Sequence, residues 1–320
     1  MANVTTAAAS AVRLESPPPR FLSVGGVVNI RELGGHSCNG LSPTPASKSS
    51  PDNKLEVTPR GSDDLRIRPG FLFRSAQPSQ ITPAGIETLI HELGIKSIFD
   101  FRSQTEIELV TTRYPDSLLE IPGTTRYSVP VFREGDFSPV SLAKKYGVAS
   151  NNTADPTNAK PAGFVQAYEA IARSGAENGS FRKITDYILR HPDRPVLFHC
   201  TLGKDRTGVF AALLLKLCGV PNDTVIEDYA ITTEGLGTWR EHLIQRLLQR
   251  KEAVTREDAE FIIASQPENM KSFLEDVVMT KFGGARNYFI QYCGLTEDEV
   301  DTDYNLEIRG VQQKALSILQ

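Results

Sequence analysis

The stretch from Pro195 to Pro221 constrains the chain more than any other. Pro195-Val196-Leu197-Phe198 is a short apolar run of the kind that fills a central parallel strand. With no spacer it passes through His199-Cys200-Thr201-Leu202-Gly203-Lys204-Asp205-Arg206-Thr207-Gly208 into Val209-Phe210-Ala211-Ala212-Leu213-Leu214-Leu215, an apolar helix closed near Gly219 and Pro221. Strand, tight loop and helix in immediate succession bring the unpaired N–H groups and partial positive charge of a helix N-terminus against the loop. The five residues between Cys200 and Arg206 can therefore curl into a nest of donors around an anion.

The side chains of that loop suit phosphate chemistry. Cys200 is the expected nucleophile, reacting as a thiolate, and the nest and Arg206 favour that anionic form. Arg206 can hold two phosphoryl oxygens through its planar fork and keep hold as charge shifts in the transition state. Gly203 permits the turn, and Thr207 offers a hydroxyl to ease departure of the thiolate from a phospho-cysteine intermediate. Thr201, Leu202, Gly203, Lys204, Arg206 and Thr207 are thus the expected phosphate-binding residues. His199 is expected to hydrogen-bond backbone and hold the loop, since no second histidine or acidic residue lies at metal-ligand spacing from it. Lys204 is expected to add positive charge at the mouth, which favours polyanionic substrates.

These residues resemble the protein tyrosine phosphatase superfamily, whose signature is His-Cys, five residues, then Arg, and within it the branch with a Gly-Lys-Asp-Arg-Thr-Gly loop. Asn29-Ile30-Arg31-Glu32-Leu33-Gly34-Gly35, Leu72-Phe73-Arg74-Ser75 and Asp100-Phe101-Arg102 extend the similarity, which reaches from about Val28 to about Gly294. The resemblance implies hydrolysis of a phosphate monoester by double displacement through cysteinyl-phosphate, with neither metal nor organic cofactor. It implies a phosphorylated protein as substrate, as for a tyrosine or dual-specificity phosphatase, or else a lipid or small-molecule phosphate such as a phosphoinositide or isoprenoid phosphate. A module that only binds phosphorylated partners is the rival, but such modules typically lose the cysteine or the arginine, and both are present.

The general acid is expected to be Asp205, which lies in the loop and resembles the Asp of this branch; no Trp-Pro-Asp occurs, and the only tryptophan is Trp239. Asp100 is the second candidate, at the end of a strand expected to run parallel to the one ending at Cys200. It can instead pair with Arg102 or Arg206 to order the site, so Asp100 and Arg102 stand as supporting residues. Asp136 is the third candidate.

The rest of the chain predicts one α/β domain over 21–320, with a central, mainly parallel sheet flanked by helices and extra helices toward the C-terminus. Phe71 to Ser75 reads as a strand. Thr82 and Pro83 then open a helix, and Gly94 closes it, with Ile86, Leu89, Ile90 and Leu93 as its apolar stripe. Ile95 to Phe101 reads as a strand buried on both faces, Ser103 to Glu106 as a helix start, and Tyr127 to Phe132 as another strand. Phe164 to Arg173 and Phe181 to Leu189 have helical periodicity, as does much of Thr238 to Tyr292. Residues 1–20 read as a loose tail, 37–65 as a polar insertion, and 133–161 as a long loop near the site.

A formal charge of -4 over 320 residues shows no basic excess, so no nucleic-acid partner is expected. No apolar run long enough to span a membrane occurs, nor a secretory leader, which predicts a cytoplasmic protein. Cys38, Cys200, Cys218 and Cys293 are too scattered for a disulfide framework, and all except Cys200 read as structural.

Overall fold

The computed structural model describes residues 21–38, 65–135, 137, 141–142, 145, 162–249 and 255–301. The predicted tail at 1–20, nearly all of the insertion at 37–65, Asp136 and most of the 133–161 loop lie outside the described residues.

Five strands form one sheet: β1 (Arg31–Glu32), β2 (Leu72–Ser75), β3 (Ser97–Asp100), β4 (Thr125–Ser128) and β5 (Val196–His199). Their order is β1-β2-β5-β3-β4, with β1 antiparallel to β2 and every other pair parallel. The sheet is therefore α/β and mainly parallel. The apolar run before Cys200 becomes the central strand β5, and its side chains divide by the twofold period of a strand. Val196 and Phe198 enter the larger core with Phe99, Phe101 and the helices, whereas Leu197 joins Val24, Ile30, Phe73, Leu89 and Ile98 on the other face.

The helices flanking the sheet are α1 (Pro83–Glu87), α2 (Gln104–Arg113), α3 (Ala162–Glu177), α4 (Ser180–Arg190) and α5 (Asp205–Leu217). Toward the C-terminus follow α6 (Asn222–Ala230), α7 (Thr232–Gly235), α8 (Trp239–Leu248), α9 (Arg256–Ile263), α10 (Pro267–Ser272) and α11 (Ala285–Gln291). Thr82 caps α1 by accepting from the Gly85 N–H, with Pro83 in the first turn. The same segment continues as π-helical turns over Thr88–Glu92, and Leu89 is the fully buried member of the expected stripe. No helix among the described residues is long and apolar enough to cross a membrane.

Two expectations need correction. The strand expected over Tyr127 to Phe132 runs instead over Thr125–Ser128, because β3 gives it a pairing partner only as far as Asp100 opposite Ser128 and Pro130 has no N–H to extend a ladder. Val129 and Val131 still donate to the Asp100 and Phe101 carbonyls, and both side chains stay buried after the strand has ended. The helix after Cys200 starts earlier than its apolar run: Asp205, Arg206, Thr207 and Gly208 form its first turn, so half of the loop is a helix N-terminus.

The register aligns three strand ends at one edge. His199 stands opposite both Ser75 and Asp100. The segments leaving β2, β3 and β5 therefore meet where Cys200 begins its loop, at the carboxyl edge where parallel sheets bind ligands.

Candidate active site

Backbone geometry turns the loop into a cradle. The Thr201 carbonyl accepts from the Gln77 N–H at 3.2 Å, the Leu202 carbonyl from Asn29 Nδ2 at 2.9 Å and the Gly203 carbonyl from Arg74 Nη2 at 2.7 Å. His199 Nδ1 lies 3.0 Å from the Cys200 carbonyl, where its N–H can donate. Each carbonyl is thus held outward, and in a trans peptide plane the next N–H points the opposite way. The N–H groups from Thr201 to Thr207 donate to no acceptor among the described residues, which leaves them as anion donors in a nest at a helix N-terminus. Gly203 has φ +67°, and a Cβ there would overlap the Ser75 carbonyl, so only glycine fits where β2 passes beneath the loop.

Cys200 is 2% exposed, and Lys204, Asp205 and Arg206 are also buried. Arg206 gives its terminal fork to a carboxylate within the protein: Nη1 and Nη2 donate to the two oxygens of Glu106 at 2.5 and 2.6 Å. Burial alone would lower the Arg206 pKa, but Glu106 outweighs it and holds the guanidinium charged. The fork expected to hold two phosphoryl oxygens is thus taken by Glu106, and on the other edge of the guanidinium Nε is buried without a partner among the described residues. Thr207 Oγ1 is likewise buried and unpartnered. Two buried polar atoms without partners among the described residues, beside a row of N–H groups that donate to none of them, form a set of donors that suits an oxyanion.

Glu106 is not among the site residues to which the sequence motif points. Its only sequence signal is the capping box of α2, in which the Ser103 hydroxyl accepts from the Glu106 N–H and the Glu106 carboxylate accepts from the Ser103 N–H. The same carboxylate accepts from Thr201 Oγ1 at 3.0 Å and from Arg206. It links the α2 cap to both ends of the loop.

Lys204 departs from its expected place at the mouth. Its Nζ donates to the Ile262 carbonyl at 2.5 Å and the Ala264 carbonyl at 3.3 Å, at the C-terminal end of α9, and sits 4.9 Å from the Phe164 ring centroid. Burial pulls its pKa down, against the raising effect of Asp205. A cation is favoured at a helix C-terminus, and the wall of the site takes up its charge.

The two candidate acids are built differently. Asp205 lies in the first turn of α5, where Oδ1 accepts from Tyr168 at 2.9 Å and stands 3.5 Å from Lys204 Nζ. Oδ2 has no partner among the described residues. Burial, then Asp205 itself, raises the pKa of Tyr168, so its phenol stays a neutral donor; Tyr229 lies 2.5 Å behind it. Asp100 has no oxygen to spare: Oδ1 accepts from the Arg102 N–H and Nε, and Oδ2 from Arg102 Nη2 at 2.7 Å and Arg126 Nε at 3.0 Å. Burial would raise the Asp100 pKa, yet the surrounding cations hold it far below the carboxylate range. His199 Nε2 is 3.9 Å away, but burial pushes its own pKa down to about 4, so at neutral pH the two arginines carry that effect.

A family model described as the tyrosine phosphatase family matches residues 22–303. The triple specificity protein phosphatase PtpB of Mycobacterium tuberculosis is 30% identical over 198 residues, covering 58% of this chain and 68% of that protein. A tyrosine-protein phosphatase of Nostoc commune is 45% identical over 62 residues, 19% of this chain and 21% of the relative. Among solved structures, the core catalytic domain of the PP-IP phosphatase SIW14 of S. cerevisiae aligns with 67% of this chain and 92% of its own at 15% identity and a TM-score of 0.26. The match over 22–303 places the chain in the tyrosine phosphatase family, among the hydrolases of phosphate monoesters.

Proposed function

We propose that the protein removes phosphate from phosphorylated proteins, phosphotyrosine foremost, with Cys200 as nucleophile. The observation that carries this reading is the cradle: seven N–H groups without acceptors among the described residues, together with the orphaned Arg206 Nε and Thr207 Oγ1, around a buried cysteine. The Cys200 thiolate attacks phosphorus, and the ester oxygen leaves with a proton from Asp205. Water then attacks the cysteinyl-phosphate, Asp205 takes up one of its protons, and inorganic phosphate and the thiolate are released. Loop N–H groups and Arg206 Nε hold the equatorial oxygens throughout, where charge develops. The deep seat of Cys200 favours a long aryl ester, and the similarity to the triple specificity protein phosphatase of Mycobacterium tuberculosis supports a protein substrate. A cytoplasmic setting keeps a free thiol reduced and suits this nucleophile.

The deciding experiment compares wild type with Cys200→Ser on phosphotyrosine peptide, phosphoserine peptide, phosphoinositides and nitrophenyl phosphate. Wild type should turn over phosphotyrosine peptide fastest. The serine variant should lose activity on every substrate while still binding phosphate, because the nest is unchanged and only the nucleophile is weakened. A variant that keeps a tenth of the rate, about 1.4 kcal/mol in barrier, would refute the mechanism.

A further inference from the structure

The sequence motifs around Asn29 and Arg74 lie far from Cys200 in the chain, yet both end on its loop. Asn29 Nδ2 donates to the Leu202 carbonyl and Arg74 Nη2 to the Gly203 carbonyl, two successive peptide planes. Fixing those carbonyls outward fixes the N–H groups of Gly203 and Lys204 inward, toward the anion seat. Without these donors the planes around Gly203 could rotate and present a carbonyl oxygen to a phosphate.

Both donors are held in turn by one buried carboxylate on α6. Arg74 Nη1 pairs with Asp228 Oδ2, and Arg31 Nε donates to Asp228 Oδ1 at 2.8 Å. Arg31 Nη2 donates to the Asp228 carbonyl at 2.7 Å, and its Nη1 donates to Asn29 Oδ1. Arginine can only donate, so this contact fixes which end of the Asn29 amide faces Leu202. Burial would raise the Asp228 pKa, but the two arginines bring it down to about 2, whereas burial and Arg74 lower Arg31 to about 10.

The arrangement is costly as scaffolding alone. Two guanidinium groups share one carboxylate in the interior, where apolar packing serves stability as well or better. Asn29 is the only non-glycine described residue with positive φ, at 56°, a backbone that asparagine tolerates at some strain. A Cβ on Gly235 would strike its side-chain oxygen, so the neighbouring helix leaves room for it.

We propose that Asn29 and Arg74, set by Arg31 and Asp228, are positioning residues that hold the phosphate cradle in its binding conformation. This rests on the reading of the loop as a phosphate site.

The test uses Asn29→Asp and Arg74→Lys in the full chain. Asn29→Asp keeps shape, left-handed tolerance and the acceptor for Arg31, but has no hydrogen for the Leu202 carbonyl. Arg74→Lys keeps the charge beside Asp228 but cannot span the carboxylate and the Gly203 carbonyl at once. Each should raise the inhibition constants of inorganic phosphate and vanadate about tenfold, about 1.4 kcal/mol, and raise KM on nitrophenyl phosphate more than it lowers kcat. Ser180→Ala is the control, since it removes a part-buried hydrogen bond to the Pro130 carbonyl; it should lower the melting temperature and leave both inhibition constants alone. If the two variants melt lower yet bind phosphate and vanadate like wild type, the network is scaffolding and the proposal falls. Should Arg74→Lys fail to fold, Asn29→Asp and Asn29→Gly decide the matter. A wild type that neither hydrolyses nitrophenyl phosphate nor responds to vanadate would overturn the reading of the loop itself.

Discussion

Asp100 and Asp205 show how one residue type acquires two uses. Asp100 is saturated by Arg102 and Arg126, which keeps it ionised at any working pH and makes it a poor proton donor. Asp205 meets one phenol through Oδ1 and leaves Oδ2 open. Protonation of the leaving oxygen matters most when that oxygen is a poor leaving group. Asp205→Asn should therefore lower kcat/KM on phosphoserine peptide by about 100-fold, within the usual reach of general acid catalysis, and lower it far less on nitrophenyl phosphate. Asp100→Asn should depress both substrates alike and destabilise the fold by about 3 kcal/mol or more, because it leaves buried guanidinium charge uncompensated. Parallel steady-state kinetics on the two substrates decide the assignment; leaving-group dependence in the Asp100 variant, and its absence in the Asp205 variant, would reverse it.

Among the elements, α2 carries the least obvious duty. Its capping glutamate also holds Arg206, so the start of a helix and the orientation of the loop arginine are one structure. Glutamine serves in a capping box as well as glutamate does, but offers Arg206 a single neutral acceptor. Glu106→Gln should thus keep the helical signal in far-ultraviolet circular dichroism while kcat/KM falls about 10- to 100-fold, and Glu106→Ala should lower kcat/KM as far and also lose the small share of that signal that belongs to the start of α2. Wild-type rates in the glutamine variant would reduce Glu106 to a cap. The sequence shows the cap because Ser103 and Glu106 are three residues apart. It hides the clamp, because Arg206 lies 100 residues further on and the two meet only through the alignment of β3 with β5. The same divide runs through the site. The loop from Cys200 to Thr207, the cap at Thr82 and the run of β5 are local patterns and were legible, whereas the turn of Lys204 toward the end of α9 depends on a helix about 60 residues away. Strand β4 was displaced for a related reason, since its limits are set by its partner.

Across the whole molecule, buried ion pairs gather at one sheet edge: Asp100 with Arg102 and Arg126, Glu106 with Arg206, and Asp228 with Arg31 and Arg74. His199 sits among them as a neutral ring, its pKa depressed to about 4 by burial, against the raising pull of Asp100. The unfolded chain would protonate this histidine near its ordinary value of about 6.5. Between these two values the unfolded state binds the extra proton and the folded state does not, so stability must rise with pH across that window. Acidification from about pH 7 to about pH 4.5 should therefore remove on the order of 2 to 3 kcal/mol, a large share of a typical margin of 5–15 kcal/mol. Asp228 and Asp100 stay ionised over that span in the folded protein, because their depressed pKa values lie below it. His199→Asn separates this effect from surface carboxylates: the amide can still donate to the Cys200 carbonyl, but it takes up no proton. Urea unfolding at several pH values should show wild type losing stability steeply toward pH 4.5 while the asparagine variant follows a flatter line. Parallel curves for the two proteins would place the acid sensitivity elsewhere and show that a protonated His199 is accommodated in the fold.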